Sequence, residues 1–250
     1  MRILLATLPL CLLAADKLDD LRALTPITLL ADTHHVQGIE VHRETLWLSS
    51  VDIKTQRGHL FRFNRKTGKL IRSTEVQQGE RYHPGGISRD GASLWIPVAE
   101  YRPNSTAGIQ KRDAKTLALQ SEFRADDHIG AMAVTPEGLI GANWDAKQFY
   151  VWTKSGKLLR KIANPTGLAI QDMKFANGEL IASGLFKDGH GAILWLEWPS
   201  LRELRRINAG KTSRGVAFTH EGFAVYGRIL FLLPEDNPSR LFRFELPRSR

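Results

Sequence analysis

Three observations predict an all-β chain folded as a single five-bladed β-propeller with four antiparallel strands per blade. The segment Tyr82-His83-Pro84-Gly85-Gly86-Ile87-Ser88 has relatives at near-regular intervals. They are His35-Val36-Gln37-Gly38-Ile39-Glu40, His128-Ile129-Gly130-Ala131-Met132, and the weaker Gln171-Asp172-Met173-Lys174-Phe175 and Thr212-Ser213-Arg214-Gly215-Val216. Short strand-like runs alternate with Gly, Asp and Asn turns at even spacing. Helical periodicity is almost absent, and units of about 40–48 residues with one internal order point to radial repetition of small sheets. Six blades is the alternative, if two short units have been merged.

The first unit reads as strands at Gln37 to Val41, Leu46 to Val51, His59 to Asn64 and Lys69 to Val76, with Thr67-Gly68 turning the last pair. The second reads as Gly86 to Ser88, Leu94 to Ala99, Gly108 to Arg112 and Leu117 to Phe123. The third reads as Ala131 to Val134, Leu139 to Asn143, Gln148 to Thr153 and Lys157 to Ile162. The fourth takes Asp172 to Phe175, Leu180 to Gly184, Ala192 to Glu197 and Leu201 to Ile207. The fifth offers Val216 to Thr219, then Gly222 to Tyr226 with Arg228 to Leu233, then Arg240 to Leu246, and stops one strand short. Ile27 to Ala31 is expected to supply the missing strand and so remove the unpaired edges where the ring meets itself. Only Lys17 to Leu24 looks helical.

At 250 residues and 42 % hydrophobic, the chain can bury one large core. Residues 1–15 read as a secretory signal: Arg2, an apolar run from Ile3 to Leu13, then Ala14 and Ala15. The run is too short for a comfortable membrane span. Cys11 lies inside it, so the mature propeller domain, 16–250, would hold no disulfide, and a periplasmic or secreted monomer is expected. Lipid attachment at Cys11 is the alternative, although Leu8-Pro9-Leu10 lacks the usual small residues. The net charge of +9 falls only to +8 without Arg2. Its basic residues are scattered over strand-like segments, with no zinc-finger spacing or RNA-binding motif, so nucleic acid is not an expected partner. No nucleophile elbow, phosphate loop or Cys-x-x-Cys is present.

Aligning Ile39, Ile87, Met132, Phe175 and Val216 puts His35, His83, His128, Gln171 and Thr212 four places earlier. In a propeller the innermost strand starts, and the second strand ends, at the face where ligands bind. Five places after Trp47, Trp95 and Ile140 stand Asp52, Glu100 and Asp145, with Glu235-Asp236 at the comparable point of the fifth unit. A ring of imidazoles beside a ring of carboxylates suits a divalent metal ion, zinc or calcium, with His35, His83, His128, Glu100 and Asp145 as candidate ligands. His83, His128 and Asp172 are the candidate catalytic residues. Arg214, Gln171, Asn143 and Trp144 are the candidate contacts to a small polar or saccharide-like ligand. The same histidines could equally tie blades together, and the acids could cap turns. Hydrolase or lyase chemistry is one reading; a non-catalytic binding propeller of the cell envelope is the other.

The histidine-bearing runs, with Trp95-Ile96-Pro97-Val98-Ala99-Glu100-Tyr101-Arg102-Pro103, Asn143-Trp144-Asp145 and Leu233-Pro234-Glu235-Asp236, resemble a bacterial family of exported proteins of unknown function. Gln37-Gly38-Ile39-Glu40 and Thr67-Gly68-Lys69 are similar to the opening blade of plant-type glutaminyl cyclotransferases, which are secreted five-bladed propellers. Ser49-Ser50-Val51 stands where that group carries a glutamate-bearing segment. The gluconolactonase and regucalcin group is a more distant likeness. It implies an axial divalent metal, held there by acidic and asparagine ligands.

Overall fold

The repeats become blades. The structure, a computed structural model, describes residues 16–247. Blade 1 is the meander His35–His42, Thr45–Asp52, Arg57–Asn64 and Leu70–Glu75. In blade 2 the innermost strand is broken into Arg81–Pro84 and Ser88–Asp90 around Gly85-Gly86-Ile87, and Ser93–Glu100, Ala107–Asp113 and Leu119–Ala125 follow outward. Blade 3 is Ile129–Thr135, Gly138–Asn143, Gln148–Trp152 and Leu158–Ala163; blade 4 is Ala169–Ala176, Glu179–Leu185, Gly191–Glu197 and Glu203–Ala209. Blade 5 runs outward through Glu221–Tyr226, Ile229–Pro234 and Arg240–Glu245, and its outer strand is Arg22–Thr28 from the other end of the chain. The expected signal segment and Cys11 lie outside the described residues. Among the described residues no helix is long and apolar enough to cross a membrane.

Three expectations about element placement are corrected. Lys17 to Leu24 is not a helix: Leu18–Asp20 make one 3-10 turn, while Asp16–Lys17 pairs in parallel with blade 4 and a strand begins at Arg22. Pairing with two sheet edges outweighs a weak local preference for helix. The closing strand is Arg22–Thr28 rather than Ile27 to Ala31. Its ladder is interrupted between Leu24 and Ile27, around Pro26, which has no N–H to contribute. Val216 to Thr219 is not the inner strand of blade 5. It belongs to an excursion closed on itself by the bridge between Lys211 and Ala217 and tied to blade 4 by Thr219 Oγ1, which donates to the Gly184 carbonyl at 2.8 Å, and the inner strand starts at Glu221.

Five apolar clusters fill the five gaps between neighbouring blades. Leu48, Phe61 and Phe231 pack blade 1 against blade 5, and Trp47, Ile87 and Ile96 pack blade 1 against blade 2. Trp95, Met132 and Trp152 join blades 2 and 3; Phe149, Met173 and Leu194 join blades 3 and 4; Trp195, Phe223 and Leu232 join blades 4 and 5. Each such side chain contributes roughly 1.5–3 kcal/mol on burial. The outer strands, such as Leu70–Glu75, are largely exposed.

Close approach at the axis explains the glycine of the repeat. A Cβ on Gly38 would lie 2.4 Å from Gly86 Cα, and one on Gly86 would lie 2.5 Å from Asp172 Oδ1. The inner strands are tied there by polar groups. Ser49 Oγ donates to the Gly85 carbonyl at 2.7 Å and accepts from Gly38 N–H at 3.0 Å, joining blades 1 and 2.

Candidate functional site

Where the innermost strands begin, the channel opens into a cavity of about 350 Å³. Its walls divide by blade. Blades 2 and 3 build an aromatic wall, in which His83 stacks on Tyr101 with ring centroids 4.2 Å apart and His128 meets Trp144 edge-on at 4.6 Å. Blade 4 contributes Ile170 and Gln171, and blades 1 and 5 contribute His35, Gln37, His220 and Glu221. Among the described residues no lysine or arginine lines the cavity, although the chain carries a net charge of +9. A larger groove of about 700 Å³ between blades 4 and 5 gathers no imidazole among its lining residues.

Burial decides the protonation of the wall. It lowers the pKa of His83 well below the usual imidazole value, with His128 and His35 adding to the effect, and it also lowers His128 and His220. His83 and His128 are therefore neutral at pH 7. His128 Nδ1 lies 2.9 Å from the Glu100 carbonyl oxygen, which can only accept, so Nδ1 carries the proton and Nε2 keeps its lone pair. Glu221 is 3 % exposed, and burial, then Glu235 and Asp172, raise its pKa well above the carboxylate norm. Its backbone has φ of 108°, a region that disfavours any side chain. His220 Nε2 lies 3.2 Å from Glu221 Oε1.

The metal-ligating potential lies on the blade 5 and blade 1 side. Among the described residues, one group of three His, Asp, Glu or Cys side chains has its donor atoms within 4.8 Å of one another: His35, Glu221 and Glu235. His35 Nδ1 sits 2.7 Å from Glu235 Oε1, but the approach misses hydrogen-bond geometry and the buried nitrogen is left without a hydrogen-bond partner.

The residues singled out from the sequence separate accordingly. His35, His83, His128, Asn143, Trp144, Asp145 and Gln171 all line the cavity, but the three histidines do not close into one ligand set. Glu100 is held by Thr106 N–H and hydroxyl at 3.1 and 2.9 Å and by Arg102 at 2.5 Å. Asp145 lies on a surface turn, 3.4 Å from Lys147 Nζ. Asp52 caps its own turn, accepting from Lys54 N–H and the Thr55 hydroxyl. Arg214 is away from the cavity, bonded to the Asp236 carboxylate and to the carbonyls of Asn237 and Pro238. Asp172 is fully buried on the axis. It accepts from Ile39 and Phe223 N–H at 3.0 and 3.1 Å, from Met173 N–H at 2.8 Å and from Lys174 Nζ at 2.6 Å, so it ties blade 4 to blades 1 and 5. His220 and Glu221 are not evident from the repeat, because Thr212 to Val216 matches the fifth anchor at the regular spacing. Glu221-Gly222-Phe223 repeats the polar–Gly–apolar order of Gln37-Gly38-Ile39, and that signal could have found them.

A family model described as a family of unknown function, DUF6454, matches residues 11–191. Comparison with the curated proteins finds no match. Among solved structures, the Myxococcus xanthus glutaminyl cyclase superposes with a TM-score of 0.68 at 14 % identity, over 91 % of this chain and 97 % of that one. A chain of a mitotic checkpoint complex gives 0.50 at 13 % identity over 99 % and 97 %, and one of a nidogen/laminin complex gives 0.50 at 12 % over 83 % and 74 %. At these identities the likeness is one of fold.

Proposed function

We propose, for a chain that belongs to the DUF6454 family of unknown function, a divalent-cation-dependent enzyme performing hydrolytic or lyase chemistry on a small polar compound at the channel mouth. One observation carries the proposal: His35, Glu221 and Glu235 bring one imidazole and two carboxylates within 4.8 Å of one another, and His35 and Glu221 form part of the cavity wall. The unsatisfied His35 nitrogen and the crowding of two carboxylates, one of them buried, fit a cation in their midst. An imidazole in the set favours a zinc-like ion over calcium, which takes oxygen ligands. Such an ion, when bound, supplies Lewis acidity toward a carbonyl or a water.

The chain's own groups supply the rest. Glu221 gives up its proton to act as a ligand. His128, with Nδ1 committed to the Glu100 carbonyl, offers Nε2 as a base toward the cavity. The His83–Tyr101 and His128–Trp144 pairs suit the flat face of a sugar or heterocycle, and Gln37 and Gln171 suit its polar groups. The lack of lysine and arginine favours a neutral or cationic substrate over an anionic one. A volume of about 350 Å³, near the bottom of the roughly 300–1,000 Å³ range of ligand sites, suits a small molecule.

A second, metal-free reading is favoured by the buried Glu221 carboxyl, whose burial holds its proton to higher pH than an ordinary carboxyl and suits it to act as a general acid. Because the Myxococcus xanthus neighbour is a glutaminyl cyclase, peptides with an N-terminal glutamine belong in the substrate panel. Metal analysis of untagged protein separates the readings. A stoichiometric transition metal, lost in Glu221→Gln with the fold intact, supports the first. Turnover that survives chelation but not Glu221→Gln supports the second. Stoichiometric metal without turnover across hydrolase and lyase panels leaves a binding propeller.

A further inference from the structure

We propose that the opposite mouth of the channel binds a small oxyanion, with inorganic phosphate as its simplest form, through Arg89, Ser88, His42 and Tyr226. The far ends of all five innermost strands line a cavity of about 240 Å³ there. That is below the roughly 300–1,000 Å³ of sites that enclose drug-sized ligands, so the volume suits an ion or a small ester.

The hydrogen-bonding inventory decides the sign of the guest. The acceptors at this mouth are already engaged: Glu40 Oε1 takes Val41 N–H at 2.8 Å, and Glu40 Oε2 takes Arg89 N–H at 3.0 Å. The Lys174 ammonium is spent on Asp172 and the Met173 carbonyl. The donors are open. The Arg89 guanidinium makes no hydrogen bond or ion pair with the described residues, and neither does the Tyr226 hydroxyl. Ser88 Oγ accepts Val134 N–H at 3.0 Å, which leaves its own proton to give. His42 stands edge-on to Tyr226, with centroids 5.3 Å apart. Burial and the charges of Arg89 and Arg43 keep its imidazole neutral, with one N–H to donate. Burial raises the pKa of Glu40, while the Lys174 ammonium and the Val41 and Arg89 N–H groups oppose that shift. A fork of guanidinium donors with surrounding hydroxyls and an imidazole, their local acceptors filled, is a setting for an anion.

The test is calorimetric titration of the full chain at low ionic strength, where a charge-driven site is least screened. Inorganic phosphate and O-phosphoserine are run side by side, which separates a site closed around a free ion from one that admits a phosphate monoester. Saturable one-to-one binding of either is expected. Arg89→Gln should weaken it about tenfold or more. Tyr226→Phe should weaken it less, and metal content at the far mouth should be unchanged in both. Because the Arg89 side chain makes no hydrogen bond or ion pair with the described residues, the fold should survive its loss, checked by circular dichroism. Absence of saturable binding of both anions, or equal affinity in folded Arg89→Gln, overturns the proposal.

Discussion

Two buried carboxylates near the propeller axis, Asp172 and Glu221, are both hidden from solvent, and burial raises the pKa of both. Their surroundings differ completely. Asp172 receives three backbone N–H groups and an ammonium; Glu221 is bordered by an imidazole and by a second carboxylate. Burial alone therefore does not mark a functional acid. Spare bonding capacity facing a cavity does, and by that criterion Asp172 is a structural hub while Glu221 belongs to the site.

The contrast can be broken by substitution. Asp172→Ala leaves Lys174 buried without its counter-ion and leaves the amides of blades 1 and 5 unpaired. A loss of about 3–5 kcal/mol is expected, seen as a drop of roughly 10 °C or more in the melting temperature. At pH 4.5, where the carboxyl is neutral like the amide that replaces it, metal-free Glu221→Gln should leave the melting temperature nearly unchanged. It should cost metal affinity at least the roughly 10–100-fold that removing a mere outer partner of a metal ligand costs, read by competition with a chromogenic chelator. Equal destabilisation by the two substitutions would erase the distinction.

Glu221→Gly sharpens it further. The side chain sits at φ of 108°, where strain of about 1–3 kcal/mol is stored. Glycine relieves that strain at an entropic cost of roughly 0.5–1 kcal/mol. The variant should be as stable as the parent or more so in denaturant melts, while binding no metal.

Proton linkage gives a smaller effect. A raised folded-state pKa means that the native state holds its proton longer than the unfolded chain. Its stabilising contribution is complete below the unfolded value of about 4.5 and is lost as pH rises through the folded value. Metal-free parent protein should therefore gain stability over Glu221→Gln as pH falls from 7 toward 4.5, by up to about 1.4 kcal/mol per pH unit. Saturating metal should remove the slope. The smallest effect belongs to His83→Phe, which preserves the stack on Tyr101. It should cost less than about 1 kcal/mol in thermal melts, because the neutral ring's Nδ1 has no hydrogen-bond partner to lose.

Blade number and most strand positions were legible because a turn-punctuated repeat is a local signal. The three histidines His35, His83 and His128 were legible for the same reason: their register repeats. Glu221 was hidden by the excursion before it, which breaks the spacing and drew the fifth anchor to Thr212 to Val216. The role of Asp172 was beyond reach for another reason. Two of its four donors, Ile39 and Phe223, lie 133 and 51 residues away in the chain, and only the closed ring brings them together. Arg214 reads as an open cation until the Asp236 turn folds over it. Local chemistry repeats along the chain, whereas satisfaction of a polar group is a property of the assembled axis.

The outer strand of blade 5 also sets an order of events. Arg22 meets Glu245 from 223 positions away in the chain, so the ring can latch only after the last blade has emerged from the ribosome. Until then the first- and last-made parts each carry an open sheet edge, and contacts of such long range form slowly. The latch that makes the finished ring cooperative is the step at which the nascent chain is most exposed to mispairing.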